Sequence, residues 1–212
     1  MGKASIYQRY SDVIFALEVS SIFEVELGRL QLQKLVYLCD ILSLVWMLIS
    51  VKNGHRTNNF GPYDPKIQNA VDSLSFRGFV NVSHLKIVDH GKKVSSKYKI
   101  TESGLILATN LKSKNYYKTK SEIYFCIAHH IDHRGWKYLK DIVYSEPSYL
   151  NKLGHHKKIS TNSYFGNDTY RLIEKFNNLK SNDINRLSKS NMVSIFFQIT
   201  DKYREQSELG YV

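Results

Sequence analysis

Apolar residues early in the chain recur at helical rather than alternating spacing. Ile14, Leu17 and Phe23, with Phe15 and Val19, give a broad apolar face to a helix that Ser11 or Asp12 caps and that runs to about Phe23. Gly28 then punctuates the chain. From Leu30 onward, Leu32, Leu35, Val36, Cys39 and Leu42 return at the helical period, which predicts one long helix through Val51. Its second half, residues 41–51, is apolar nearly all round. That run is about half the length a membrane span needs, and Asp40 and Lys52 bound it, so it reads as a core helix wrapped by other elements or by a partner.

The pattern changes in the next stretch. Asn53-Gly54 and Asn58-Asn59 are turn residues, and Asp64-Pro65 is an N-cap followed by proline in the first helical position. The helix predicted over residues 65–77 carries Ile67, Ala70, Val71 and Leu74 on one face and stops at Gly78. Short strands are predicted over 79–82, 85–89 and 94–100, the last two joined by the turn His90-Gly91-Lys92-Lys93. Thr101 caps a helix from Glu102 to about Lys112. Helix, short strand, basic hairpin, helix is the layout of a winged helix, with residues 65–77 as recognition helix and residues 86–99 as wing.

Residues 113–121 are polar and basic and predict a boundary. Thr119 and Glu122 have the spacing of a capping box opening a helix that holds Ile123, Phe125, Cys126, Ile127 and Ile131. A shorter helix over 136–144 is broken by Pro147, and residues 152–167 read as a long loop. Asn167 or Asp168 caps a helix to about Leu179. A last helix runs from about Ile184 to Glu205, with Leu187, Val193, Ile195, Phe196 and Phe197. The expected fold is mainly α with a small β-hairpin wing: a winged-helix domain over 1–112 and a helical region over 113–212. That region either packs on the first as one unit or stands as a domain of its own.

Composition narrows the function. In 212 residues, 42% are hydrophobic and 13% aromatic, enough for a real core. The two cysteines, Cys39 and Cys126, lie far apart in apolar surroundings, which suits a reducing compartment and excludes a disulfide framework. The first residues lack the apolar stretch of a signal peptide, so a soluble cytoplasmic protein is expected. The net charge of +11 attracts polyanions, nucleic acid first. The lysines of the wing, Lys86, Lys92, Lys93, Lys97 and Lys99, are the candidate phosphate contacts. Lys112, Lys114, Lys118 and Lys120 continue them, with Tyr116 and Tyr117 interleaved. On the recognition helix only Gln68, Asn69 and Arg77 are ordinary base readers, which favours backbone contact over sequence readout. Trp46, Met47, Phe196 and Phe197 are the candidate partner-binding residues, an excess of large apolar side chains for a chain of this size.

Reactive chemistry finds little support. His129 and His133 stand four apart, so on a helix they share a face as metal ligands do, with Asp132 beside them. The alternative is a polar helix end, where histidine meets the negative end of the helix dipole. No P-loop, nucleophile elbow or cysteine–histidine motif occurs. Asp64 with Lys66, and Asp89 with Lys92, come nearest to the acids and lysine of a nuclease, and Asp64 is better explained as a cap. No catalytic, cofactor-binding or metal-binding residue is assigned; a metal-dependent hydrolase is the remote alternative.

Together the motifs make a recognisable series. Gln33-Lys34-Leu35-Val36-Tyr37-Leu38-Cys39-Asp40 lies on a helix and Phe60-Gly61-Pro62-Tyr63-Asp64 just before the next. Leu74, Gly78-Phe79-Val80 and Tyr98-Lys99-Ile100-Thr101-Glu102-Ser103-Gly104 follow. In order and spacing these resemble proteins related to the SocA/Panacea antitoxin domain and the YwgA-like proteins, over roughly residues 30–112. In those, a KLxYL helix precedes an aromatic-Gly-Pro-Tyr turn, a helix and a YxLTxxG strand-to-helix step. Similar small winged-helix proteins serve as middle components of three-component bacterial defence systems, Lamassu-type among them, that pair an SMC-like ABC ATPase with an effector, often a nuclease. The resemblance implies a bridging or regulatory subunit without catalysis of its own, and a DNA-binding regulator or antitoxin as the alternative.

Overall fold

The computed structural model describes residues 3–46, 48, 54–88, 93–150, 157–159, 167–180 and 189–208. The elements are α1 (Lys3–Ile22), β1 (Leu27–Gly28), α2 (Arg29–Leu42), a 3-10 turn (Ser43–Trp46), α3 (Pro65–Phe76), β2 (Val80–Val88), β3 (Lys93–Ile100) and α4 (Glu102–Leu111). After them come α5 (Asn115–Asp132), α6 (Tyr138–Tyr144), α7 (Pro147–Leu150), α8 (Asp168–Lys180) and α9 (Lys189–Glu208). The chain is thus mainly helical, with one three-stranded antiparallel sheet in the order β1-β3-β2. It divides into two compact units, Met1–Val36 with Asp64–Ala128 and Tyr37–Tyr63 with His129–Val212. The division falls inside α2 and α5 and differs from the boundary expected at residue 112. Residues after 112 join the first unit because α5 sends Lys120 and Tyr124 to Asp12 of α1. Residues 37–63 join the second because Tyr37 bonds Glu146 and the carbonyl of Ile41 accepts from Asn167.

In the first unit α3 and α4 pack on α1, and β3 lies against α1. Asp64 caps α3 as expected: its Oδ1 accepts from the Lys66 amide at 2.9 Å, with Pro65 in the first turn. Gln33 of α2 grips the same residue, its amide bonding both Asp64 backbone groups at 2.9 and 3.0 Å. Thr101 caps α4 and also donates to the Gly78 carbonyl at 2.7 Å, tying the end of β3 to the turn before β2. Gly104 is forced by packing. A Cβ there would stand 2.3 Å from the Phe79 carbonyl oxygen and 2.6 Å from Ile100 Cγ1.

Four expectations change. Ser11 and Asp12 do not cap α1, which begins at Lys3; both are buried inside it, where Asp12 meets Arg9, Lys120 and Tyr124. The helix expected through Val51 ends at Leu42 and tightens into the 3-10 turn, where Ser43 Oγ donates back to the Cys39 carbonyl at 2.7 Å. Residues 47 and 49–53 lie outside the described residues. Thr119 and Glu122 open no helix, because α5 already runs through them from Asn115. The strands expected over 79–82 and 85–89 are one strand, β2, with a bulge between Ser83 and Lys86 where His84 adopts φ of 52°.

In the second unit α6 and α8 pack on α9, and the 3-10 turn packs on α9 as well. Pro147, expected to break a helix, does so and opens α7 at its first position. Asn167 is the cap of α8: its Oδ1 accepts from the Tyr170 amide at 2.9 Å. Of the loop expected over 152–167, residues 157–159 and Asn167 are described. Lys158 bridges Arg56, which also bridges Tyr63, and the Thr57 amide donates to the Lys157 carbonyl at 2.9 Å. The stretch 181–188, where the last helix was expected to begin, lies outside the described residues; α9 is described from Lys189.

Candidate docking and nucleic-acid interface

The hairpin β2–β3 is the feature around which the sequence-derived candidates gather. In an antiparallel ladder, paired residues lie on one face and successive residues alternate. The register pairs Asn81 with Lys99, Ser83 with Lys97 and Lys86 with Ser95. Lys86, Lys97 and Lys99 therefore share one face. The bulge makes this so, by setting His84 and Leu85 together against Ser96 and restoring the alternation one residue later. Lys86 and Lys99 are exposed, whereas Lys97 is half-buried and donates to the Glu26 carbonyl at 3.1 Å. Lys93 pairs with Val88 at the far end of the ladder, and Lys92 lies outside the described residues.

The opposite face was not foreseen. Val80, Val82, Tyr98 and Ile100 occupy it; near α3 Val80, Tyr98 and Ile100 are buried, while Val82 is partly open. Beyond α3 the same face continues with Leu85 and Ile87, 69% and 72% exposed. Between the hairpin and α3 lies an open cleft of about 200 Å³ lined by Arg29, Gln68, Asp72, Val82, Leu85, Ser96 and Tyr98. The signal was present in the sequence as Leu85-Lys86-Ile87, an apolar–cation–apolar alternation that a strand sorts onto two faces.

The recognition-type helix is poorly equipped to read bases. Gln68 donates to Asp72 at 2.8 Å and accepts from the Tyr98 hydroxyl at 3.2 Å, which turns it toward the sheet. Asn69 and Arg77 are exposed, but the acidic Asp72 and the 94% exposed Phe76 share the helix with them. Two of the basic residues that follow the wing are engaged elsewhere: Lys112 pairs with Glu18 at 2.6 Å, and Lys120 is buried against Asp12 at 2.6 Å. Tyr117 packs on Phe15 and meets Tyr116 edge-on.

The candidate partner residues are corrected by the second unit. Trp46, Phe196 and Phe197 are buried in the chain; Phe197 stacks on Tyr138 and meets Phe196 edge-on. Large apolar side chains at helical spacing here build a core, not a surface. Met47 lies outside the described residues. His129 and His133 do share a face, with Nε2 atoms 3.3 Å apart, while Asp132 accepts from Trp136 Nε1 at 3.1 Å. Burial, then the neighbouring His129, Arg134 and His133, holds His130 below its ordinary value. Among the described residues no group of three or more His, Cys, Asp or Glu is arranged to hold a metal ion.

The second unit also buries a polar centre. Glu146 accepts from the amides of Ser148 and Tyr149 at 2.9 and 2.8 Å and from the hydroxyls of Tyr37 and Thr169. Burial, and then the Glu146 charge and hydrogen bond, push the Tyr37 phenol well above its usual value. His55 and Asp40 pair at 2.9 Å beside the Tyr37 ring. All of these side chains are buried, so the arrangement ties segments together.

The first unit thus packs helices beside a three-stranded antiparallel sheet whose β2–β3 hairpin has one cationic and one apolar face. No helix among the described residues is long and apolar enough to cross a membrane. Compared with protein-family models and with curated proteins, the chain finds no match.

Proposed function

We propose that this chain is a non-catalytic docking subunit that holds a protein partner through the wing and the cleft beside α3, and touches nucleic acid non-specifically through the lysine face. The observation that carries the reading is the two-faced hairpin. Leu85 and Ile87 are large apolar side chains left open on a projecting strand, which marks a contact surface. Lys86 and Lys99 on the other face are suited to phosphate oxygens without reading bases. The resemblance to the SocA/Panacea and YwgA-like proteins supports a cytoplasmic accessory role. Within it we favour the middle component of a bacterial antiphage or anti-plasmid complex, partnered by an SMC-like ABC ATPase and an effector nuclease.

The test is co-expression with the proteins encoded beside it. An ATPase or effector is expected to co-purify with the wild-type chain and to be lost from the variant Leu85→Lys/Ile87→Lys. Purification of the chain alone from every such pair would overturn the reading.

A DNA-binding regulator or antitoxin is the second reading, favoured by the shared face of Lys86, Lys97 and Lys99. Duplex binding that weakens steeply with salt, and falls further in Lys86→Glu/Lys99→Glu, supports it. Binding unchanged in that variant removes the wing from it.

A further inference from the structure

We propose that β2 beyond its bulge accepts, along its open edge, an extended acidic segment of a partner protein. The apolar residues of that segment extend the row of Val82, Leu85 and Ile87, and its carboxylates meet Lys86, the exposed lysine on that stretch of β2. This rests on the docking reading above and specifies the partner's chemistry.

The sheet order makes β3 the central strand and β2 an edge, so one side of β2 presents backbone donors and acceptors to which no other strand pairs among the described residues. An exposed edge of this kind is extended by a strand, with backbone bonds supplying affinity and alternate side chains supplying specificity. The bulge interrupts regular pairing at His84, which leaves Leu85–Val88 as the template.

A strand added there has its own side chains sorted onto the same two faces, at the same period of two. On one face they continue an apolar row; on the other they stand beside Lys86, in a chain of net charge +11. The complementary sequence therefore alternates apolar residues with Asp or Glu. The cleft of about 200 Å³ takes a side chain, whereas a helix is roughly 10–12 Å across. A second copy of this chain fits poorly, because two chains of net charge +11 repel. DNA engages the lysine face and leaves Leu85 and Ile87 unused.

The experiment is selection of a displayed random-peptide library on the full chain, followed by binding of the selected peptides in solution. Alternating acidic–apolar peptides are expected. Their affinity should fall about tenfold or more in Ile87→Lys and in Lys86→Glu, a loss of about 1.4 kcal/mol or more. Both positions are exposed, and unchanged thermal unfolding confirms that the variants fold. Amide exchange should slow at residues 85–88 on binding. Peptides N-methylated along one edge should lose affinity, which a side-chain-only contact would not show.

Selection of peptides without the alternation, or binding indifferent to N-methylation, overturns strand addition. Peptides that bind but ignore both substitutions overturn it while leaving a docking role elsewhere intact. Selection of none, with short duplex DNA the one ligand that responds to Lys86→Glu, overturns both readings.

Discussion

In the unit built on α1 and α3, the buried polar centre is a set of opposite charges. Arg9 is fully buried and reaches Asp12 and Asp64, each at 2.8 Å, while Lys120 holds the other side of Asp12 at 2.6 Å. In the unit of α6–α9, the Glu146 carboxyl is equally buried, and its four donors described above, two amides and two hydroxyls, are all neutral. Two cations balance two anions in the first case; hydrogen bonds alone satisfy a carboxyl in the second. Removing one member should therefore do different things. In the first unit it strands charge away from water, and in the second it leaves donors unmatched.

The largest expected effect is Arg9→Met. It leaves Asp64 without its cation and should lower unfolding free energy by about 3–5 kcal/mol, measured by urea denaturation. A loss under about 1 kcal/mol, the range of exposed pairs, would show that the centre admits water. Glu146→Gln comes next, at about 1–3 kcal/mol, because one amide nitrogen now faces donors in place of an acceptor. If it cost more than Arg9→Met, the contrast between the two centres would be reversed.

Tyr37→Phe sharpens the comparison through pH. The folded phenol titrates above its ordinary value of 10.0, so the unfolded chain releases this proton first. The stability it contributes is complete below pH 10.0 and is lost as pH rises beyond it. The gap in denaturation midpoint between wild type and Tyr37→Phe should narrow above that pH, and a gap independent of pH would contradict the buried phenol. Smallest in stability is Leu85→Lys/Ile87→Lys, expected within about 0.5 kcal/mol of wild type because both side chains already face water. The same double change should have the largest effect on partner binding.

The local devices were legible. Asp64-Pro65, Gly78 and Thr101 each act over a few residues, and each does in the structure what its chemistry requires. The hairpin was legible too, and so was the common face of Lys97 and Lys99, which follows from a period of two. Neither β1 nor the bulge was, and it is the bulge that brings Lys86 to their face. Two residues of β1 pair with Tyr98 and Lys97 some seventy positions away, and no local pattern encodes such a partner.

Sequence alone determined where α3, α4 and α8 start and that a cationic ribbon follows α3, since caps, proline, glycine and alternation are short-range physics; the starts of α1 and α5 and the end of α2 it did not determine. Tertiary structure decided which side chains meet water. Trp46, Phe196, Phe197 and Lys120 went inside, and Leu85 and Ile87 stayed out. Burial depends on what distant segments bring to the same place. A tryptophan covered by a helix from the far end of the chain is core, while a leucine with no such cover becomes a surface for another molecule.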